Sequence, residues 1–507
     1  MPERPAKERT HKMNYFSTRD TERKIAKTSA EVIKQGIADD GGLFMPESIP
    51  EIDLDYIKSL CDKTYIERAA EVLSLYLTDY TKEELMKAAS AAYAEDKFIG
   101  GAAPVIALGN DIRVLELWHG PTCAFKDMAL QIMPRLLSMA LDKTGEKRQA
   151  VILVATSGDT GKAALEGYCD VDRVKICVFY PNDGVSDMQK LQMASQKGDN
   201  VYVCAINGNF DDAQTGVKKI FSDKAIADKL NEKGFFLSSA NSINWGRLAP
   251  QIVYYISAYC DLVSEGDIKL GEQIDIAVPT GNFGNIFAAY LAKRMGLPVR
   301  NLICASNKNN ILTDFLETGT YDRNREFYTT MSPSMDILIS SNLERLLYCV
   351  AGAEKVKGYM SALSADGKYT VEPEIFSEIK KNLLGFYSDE EKTAKTIKTI
   401  FDKYSYIVDP HTAVGIGAAV DACKNDGVKV VTASTASPYK FPYDVIESLG
   451  DTASENAFEC LDKLSELTGT EIPAPLANLR SASVRFKETV GKETEQLWEA
   501  AERFITK

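Results

Sequence analysis

Ile274-Asp275-Ile276-Ala277-Val278 runs straight into Pro279-Thr280-Gly281-Asn282-Phe283-Gly284-Asn285, and then into an apolar stretch starting near Ile286. A short, continuous apolar run followed by a glycine-bearing loop and a helical pattern reads as a strand buried on both faces, then a helix packing back on its sheet. The same texture recurs from Pro104 onward, the clearest runs being 112–117, 150–155, 174–180, 201–206, 301–305 and 428–432. Buried strands alternating with helices predict an α/β architecture with parallel sheets. Ligands in such folds sit beyond the carboxyl ends of the strands, so the loops there are where chemistry is expected.

Working outward, residues 13–103 are mostly helical in pattern. Residues 71–77 and 81–92 keep apolar and charged faces near the 3.6 period, Gly36 ends a helix beginning near Ser29, and Gly41-Gly42 marks a turn. This segment predicts an N-terminal helical subdomain. Residues 104–270 and 271–472 predict two α/β domains, the second with an insertion near 321–385 that breaks the rhythm with Met, Ser and charged residues. Residues 473–507 form a C-terminal helical segment, in which 488–504 predicts an amphipathic helix with Leu497, Ala501 and Phe504 on one side. Residues 1–12 carry charges and prolines without an apolar core, and read as a disordered extension rather than a secretory signal.

A chain of 507 residues is too long for one ordinary core, which agrees with several domains around a cleft. A net charge of −13 repels nucleic acid and anionic membrane surfaces, and leaves small molecules as the expected partners. Ten cysteines stand singly, several inside apolar runs, as buried thiols of a reducing cytoplasm do. The three histidines, His11, His119 and His411, supply no zinc spacing, so no metal is expected. No apolar run approaches the roughly 20 residues of a membrane helix.

Three loops carry candidate chemistry. In the opening stretch, glycines let backbone N–H groups converge on an anion at a helix N-terminus, which suits a phosphate. A plain strand-to-helix turn fits equally well, and the spacing is neither G-x-G-x-x-G nor a Walker loop. The second loop, Thr156-Ser157-Gly158-Asp159-Thr160-Gly161, clusters hydroxyls and N–H groups at a helix start. It suits a carboxylate or phosphate, or merely caps a helix. Gly161-Lys162 is no P-loop, since Thr156 stands in place of the first glycine and Ala163 in place of the magnesium-binding hydroxyl. The third, Glu116-Leu117-Trp118-His119-Gly120-Pro121-Thr122-Cys123-Ala124-Phe125-Lys126-Asp127, leaves a strand by a Gly-Pro turn and sets Lys126 beside Phe125, Met128 and Leu130. Desolvation there would make the amine a better nucleophile, although a lone lysine is ordinarily just solvated.

These segments also resemble a family. His119-Gly120-Pro121-Thr122 with Ala124-Phe125-Lys126-Asp127 is similar to the Schiff-base lysine segment of threonine synthases, 155–161 to their substrate loop, and 281–285 to their cofactor-phosphate loop. Met13-Asn14-Tyr15, Ser17-Thr18-Arg19, Asp40-Gly41-Gly42-Leu43-Phe44, Ser332-Pro333-Ser334-Met335-Asp336 and Ser434-Thr435-Ala436 before Lys440-Phe441 resemble the family in the same order. The likeness is to the long bacterial and fungal form; residues 1–12 lie outside it and the segment after about Pro473 matches weakly. It implies the tryptophan synthase β-subunit-like fold, type II among pyridoxal-phosphate enzymes. It also implies conversion of O-phospho-L-homoserine and water to L-threonine and inorganic phosphate, the last step of threonine biosynthesis. Without a secretory signal or membrane span in the sequence, the cytoplasm is the expected compartment, and either a monomer or a homodimer is expected.

On that resemblance Lys126 carries pyridoxal 5'-phosphate and shuttles protons at Cα and Cβ. Gly281, Asn282, Phe283, Gly284 and Asn285 surround the cofactor phosphate, Thr435 meets the pyridine nitrogen, and Asp159 lies by the ring hydroxyl. Thr156, Ser157, Gly158 and Thr160 are expected at the substrate carboxylate. Asn241, Ser242, Asn244 and Arg247 are expected at the substrate phosphate, where an arginine suits bidentate contact. His119 and His411 read as hydrogen-bonded structural residues. Two other classes compete: a type II dehydratase or phospho-amino-acid lyase, and a non-catalytic binder of a nucleotide or amino acid.

Overall fold

A computed structural model describes residues 12–156, 158–183, 185–423 and 427–507. Of the expected N-terminal extension only Lys12 falls among them, and Ser157 of the substrate loop lies outside the described residues.

Local sequence signals account for the N-terminal part. Helices Ser29–Gln35, Tyr65–Tyr76 and Lys82–Ala92 each begin at a Thr-x-x-Glu capping box, from Thr28, Thr64 and Thr81, in which the side chains satisfy each other's backbone N–H groups. Gly36 closes the first of them at positive φ. Strands Tyr15–Ser17 and Phe44–Pro46 pair antiparallel alongside these helices.

Eleven strands form the two larger sheets. In chain order they are β1 (Val105–Leu108), β2 (Ile112–Glu116), β3 (Gln149–Ala155), β4 (Val174–Pro181), β5 (Val201–Asn207), β6 (Phe235–Ser238), β7 (Ile274–Pro279), β8 (Val299–Ser306), β9 (Leu383–Tyr387), β10 (Val430–Ser434) and β11 (Thr489–Gly491). One sheet runs β9-β8-β7-β10-β2-β1 and is parallel except for the β1–β2 pair. The other runs β11-β5-β4-β3-β6 and is parallel throughout. All seven runs read from the sequence are strands of these sheets, within a few residues at their ends. Helix Trp245–Ser264, apolar nearly all round, is buried against helices Leu54–Cys61, Tyr65–Tyr76 and Gly284–Met295.

The elements run across the expected boundaries at three places. A division at residue 270 does not follow the sheets, because β2 pairs in register with β10, Ile112 opposite Val430 through Glu116 opposite Ser434. The segment that rises into the lysine loop therefore belongs to the sheet built mainly after residue 270. The insertion ends earlier than 385, since Leu383–Tyr387 is an edge strand beside β8. Its mixed composition hid it, as edge strands need bury only part of their surface. Residues 488–504 are not one helix: β11 precedes a helix confined to Thr494–Ile505, which buries Leu497 and Ala501 against helix Phe210–Ser222.

Close approach of backbones places the lysine segment. A Cβ added at Gly167, on helix Asp159–Tyr168, would lie 1.9 Å from the Leu130 carbonyl oxygen at the end of the short helix Asp127–Leu130. Only glycine lets these helices cross so tightly. Gly167→Ala is expected to cost roughly 3 kcal/mol or more, because backbone rather than a movable side chain blocks the methyl group. Urea unfolding checks this; a midpoint equal to the parent's would mean the crossing is loose. Among the described residues no helix is long and apolar enough to cross a membrane, and no group of three His, Cys, Asp or Glu is placed to hold a metal ion.

Candidate active site

The carboxyl ends of β2 and β10 deliver two adjacent loops that are tied by main-chain hydrogen bonds. Leu117 N–H donates to the Ser434 carbonyl (3.0 Å), Phe125 N–H to the Thr435 carbonyl (2.8 Å) and Ser437 N–H to the Cys123 carbonyl (3.0 Å). This lacing sets Lys126 at the start of helix Asp127–Leu130 and brings Thr435 beside it. The Thr435 N–H donates to Thr412 Oγ1 (3.2 Å), while its hydroxyl has no protein partner among the described residues.

Met128 and Leu130 are buried beneath the short helix, but the Lys126 amine does not end in an apolar setting. Its Nζ donates to Ser334 Oγ (3.2 Å), lies 3.7 Å from Asp159 Oδ2, and sits over the Phe125 ring. Burial pushes this amine below its ordinary range; Asp159 opposes that, and Lys440 and Arg247 add to it. Asp159 opens helix Asp159–Tyr168, and its Oδ1 is 2.6 Å from Lys440 Nζ and accepts from Gln189 Nε2 (3.0 Å). Burial alone would raise its carboxyl, yet Lys440 and Lys126 hold it well below the usual carboxylate range.

Of the second loop, Thr156 is turned inward. Thr156 Oγ1 accepts from the N–H groups of Gly158 (3.0 Å) and Gly161 (2.9 Å), so the Thr156 hydroxyl shapes the loop from within. Gly158 has φ +138°, and a Cβ there would meet the Gln189 side chain at 2.5 Å. Thr160 is half-buried.

The glycine turn after β7 has the build of an anion cradle. Its carbonyls are pinned from behind, Gly281 O by Ser340 Oγ (2.6 Å) and Asn282 O by the N–H and Nδ2 of Asn342 (3.1 and 2.9 Å). Phe283 is held at φ +63°, where a non-glycine residue is strained, immediately before helix Gly284–Met295. Among the described residues no group accepts from the N–H groups of 281–285. Asn285 accepts through Oδ1 from the hydroxyls of Tyr254 (2.6 Å) and Tyr255, while its buried Nδ2 has no partner among the described residues. Unpaired donors converging at a helix N-terminus fit a phosphate group better than a plain turn does. A Cβ on Gly281 would lie 2.7 Å from the Ser334 carbonyl oxygen, so one serine segment touches both this turn and Lys126.

Ser334 is itself placed by His411, whose Nε2 accepts the Ser334 N–H (3.1 Å) and whose Nδ1 lies 2.8 Å from Asp409 Oδ1. These contacts make Nδ1 the protonated nitrogen. His119 is bonded to the Ile99 carbonyl (2.8 Å) and to Glu116 Oε2 (2.7 Å). Both histidines are thus hydrogen-bonded, and His411 supports the site from one residue away.

The remaining expected residues separate by exposure. Asn241 is exposed and Ser242 half-buried, whereas Asn244 is fully buried with its amide spent. Its Nδ2 donates to Ile33 O (2.9 Å) and its Oδ1 accepts from Gly246 N–H (2.8 Å), capping helix Trp245–Ser264. The Asn244 amide is thus committed to capping the helix that carries Arg247 in its first turn. Arg247 is buried, donates through Nη1 to Ala240 O (2.9 Å), and leaves Nε without a partner. Among the described residues no carboxylate pairs with it, and burial pushes the guanidinium down to about 10. Arg345, also buried, ties the Phe44 and Ile243 carbonyls to Asn342 and so joins the N-terminal part to the glycine turn.

Lys440, Ser334, Gln189, Ser340, Asn342, Tyr254, Tyr255 and His411 thus serve the site without having been assigned to it from sequence. Ser334 and Lys440 lay inside the family-like segments and had that signal. The others stand on helices and loops whose contacts are long-range.

Three family models cover most of the chain: "Threonine synthase N terminus" over residues 14–93, "Pyridoxal-phosphate dependent enzyme" over 102–435, and "Threonine synthase, C-terminal" over 412–504. A threonine synthase of Pseudomonas aeruginosa is 40% identical over 444 residues, which are 86% of this chain and 90% of that one. Threonine synthase-like 1 of Homo sapiens is 40% identical over 453 residues, again 86% of this chain, and the match spans only 60% of the longer human protein. The crystal structure of the PLP-bound threonine synthase from Brucella melitensis superposes with a TM-score of 0.87 at 36% identity, covering 97% of this chain and 99% of that one.

Proposed function

The chain belongs to the threonine synthase family, and from that premise we propose that it converts O-phospho-L-homoserine and water to L-threonine and inorganic phosphate, with pyridoxal 5'-phosphate carried on Lys126. One observation carries the choice of a phosphorylated substrate: two separate places around Lys126 ask for an anion. Among the described residues, the first is the turn at 281–285 with its unpaired N–H groups, and the second is Arg247, a buried cation with no carboxylate partner. Tyr254 and Tyr255, bonded to Asn285, stand about two turns beyond Arg247 on the same helix, roughly 10 Å along its axis. A cofactor phosphate accounts for one place. With the amino acid's own carboxylate assigned to the loop at 156–160, a phosphate on the substrate answers the other.

When bound, the cofactor supplies the electron sink that lets protons leave Cα and Cβ. The residues do the placing and the proton transfer. The N–H groups of 281–285 and the Asn285 amide would hold the cofactor phosphate, and the Thr435 hydroxyl would serve the pyridine nitrogen. Arg247, with Ser242 and Asn241 at the more open end of the loop, holds the substrate phosphate until it departs. Gly158, Thr160 and Ser157 serve the substrate carboxylate. The Lys126 amine, its proton affinity lowered by burial, takes and returns protons at Cα and Cβ. The free thiols of all ten cysteines fit a reducing cytoplasm.

The test supplies O-phospho-L-homoserine to the cofactor-loaded protein. Threonine and phosphate should appear in equal amounts. Release of ammonia and a keto acid without threonine would instead assign a dehydratase or a phospho-amino-acid lyase.

A further inference from the structure

Two lysines face one carboxylate at this site, on unequal terms. Lys440 Nζ is 2.6 Å from Asp159 Oδ1, whereas Lys126 Nζ is 3.7 Å from Asp159 Oδ2. Lys440 is anchored from behind by donating to the Thr122 carbonyl (3.0 Å), and its side chain is 1% exposed. Gln189 adds a second donor to Oδ1. The carboxylate is thus held on its Oδ1 side by groups that do not move with Lys126. We propose that Lys440 is a positioning residue: it claims Asp159 as its own counter-ion and so leaves the Lys126 amine free to react instead of locked in an ion pair.

The chemical reason is that an ammonium has no lone pair to add to a carbonyl carbon. Asp159 is buried, so without Lys440 its charge would have Lys126 as the remaining cation in contact, and that pair would favour the protonated lysine. The charged groups around Lys126 are Asp159 at the start of helix Asp159–Tyr168, Lys440 on the turn Pro438–Lys440, Arg247 on helix Trp245–Ser264 and its neighbour Asp127. Asp127 is turned away, bonded to the N–H and hydroxyl of Thr122, and burial raises its carboxyl to about 7. Lys440 and Arg247 disfavour an ammonium at Lys126, and Asp159 favours it. Loss of Lys440 removes a repelling cation and frees the attracting anion. Both changes act in the same direction.

The inference draws its meaning from Lys126 as the cofactor lysine, but its test does not depend on that. Trace acetylation of the full-length, cofactor-free protein with acetic anhydride across a pH series, followed by mass spectrometry of the peptide holding Lys126, reads when that amine becomes free. Lys440→Met should move the midpoint upward by about one pH unit, a labelling rate about tenfold lower below the midpoint. Lys440→Arg should stay near the parent, and Asp159→Asn should move the midpoint downward. Capture of pyridoxal phosphate near neutral pH, followed by its visible band, should slow in Lys440→Met by a similar factor. An unchanged or lowered midpoint in Lys440→Met overturns the proposal, as does a shift of the same sign in Lys440→Met and Asp159→Asn, the mark of a merely loosened site. Should Lys440→Met fail to fold, Asp159→Asn carries the test, and absence of a downward shift overturns it. Opposite shifts, together with a Lys126→Ala protein that still shows the band, would uphold the role of Lys440 and sink the cofactor assignment instead.

Discussion

Lys126→Ala, mixed with pyridoxal phosphate, is expected to show no visible band of lysine-bound cofactor and to form no measurable threonine, while the cofactor-free proteins unfold at close to the same temperature. The loss should be severe because one amine serves two purposes, as covalent anchor and as proton carrier, and proton transfer alone is worth roughly 10²–10⁴-fold. The fold should survive for a separate reason. The amine makes one hydrogen bond at 3.2 Å and one ion contact at 3.7 Å, and Asp159 keeps Lys440 and Gln189 when Lys126 is gone. No buried charge is orphaned, so the stability change should stay within about 1 kcal/mol. Absorption spectra and thermal melts of the two proteins check both halves. A persisting band would place the cofactor on another lysine, with Lys440 the first to examine.

Arg247→Met is expected to make the ligand-free protein more stable and its reaction far slower. A buried guanidinium with, among the described residues, one main-chain hydrogen bond and no carboxylate partner is a cost to the folded state, and a flexible apolar side chain of similar length relieves it. Relief of about 1–3 kcal/mol is expected, even after losing the bond to Ala240. Loss of charge-assisted contacts to the substrate phosphate should lower kcat/KM by roughly 100-fold or more. Added inorganic phosphate should stabilise the parent more than the variant, since only a bound ligand shifts the melting temperature by mass action. A less stable variant that keeps the parent's kcat/KM would remove Arg247 from the phosphate site.

This trade also marks what could be read in advance. An arginine near a loop of amides and hydroxyls is a sound candidate for phosphate from its type alone. That the same arginine meets no carboxylate among the described residues depends on everything folded around it. The reverse holds for Asn244, whose residue type suits a ligand equally well, yet whose amide is consumed in capping the helix that carries Arg247.

The sequence by itself determined the elements whose signals are local. The seven apolar runs and the strand-to-glycine-turn grammar at 274–285 depend on neighbours within a turn or two, and each appears where it was expected; the three Thr-x-x-Glu helix starts, equally local, were there to be read. The family likeness added Lys126, Ser334 and Lys440 to the relevant segments. Only the tertiary structure decided which strands lie together and which charges share one buried volume. Strand Ile112–Glu116 pairs with Val430–Ser434, Leu383–Tyr387 joins a sheet its composition did not suggest, and Thr489–Gly491 extends the other sheet from the far end of the chain. Asp159 keeps its charge because Lys440, distant in sequence, arrives 2.6 Å away. The physical reason is range: helix and strand propensity is settled among adjacent residues, whereas pairing partners and desolvated electrostatics are sums over whatever the fold brings into contact.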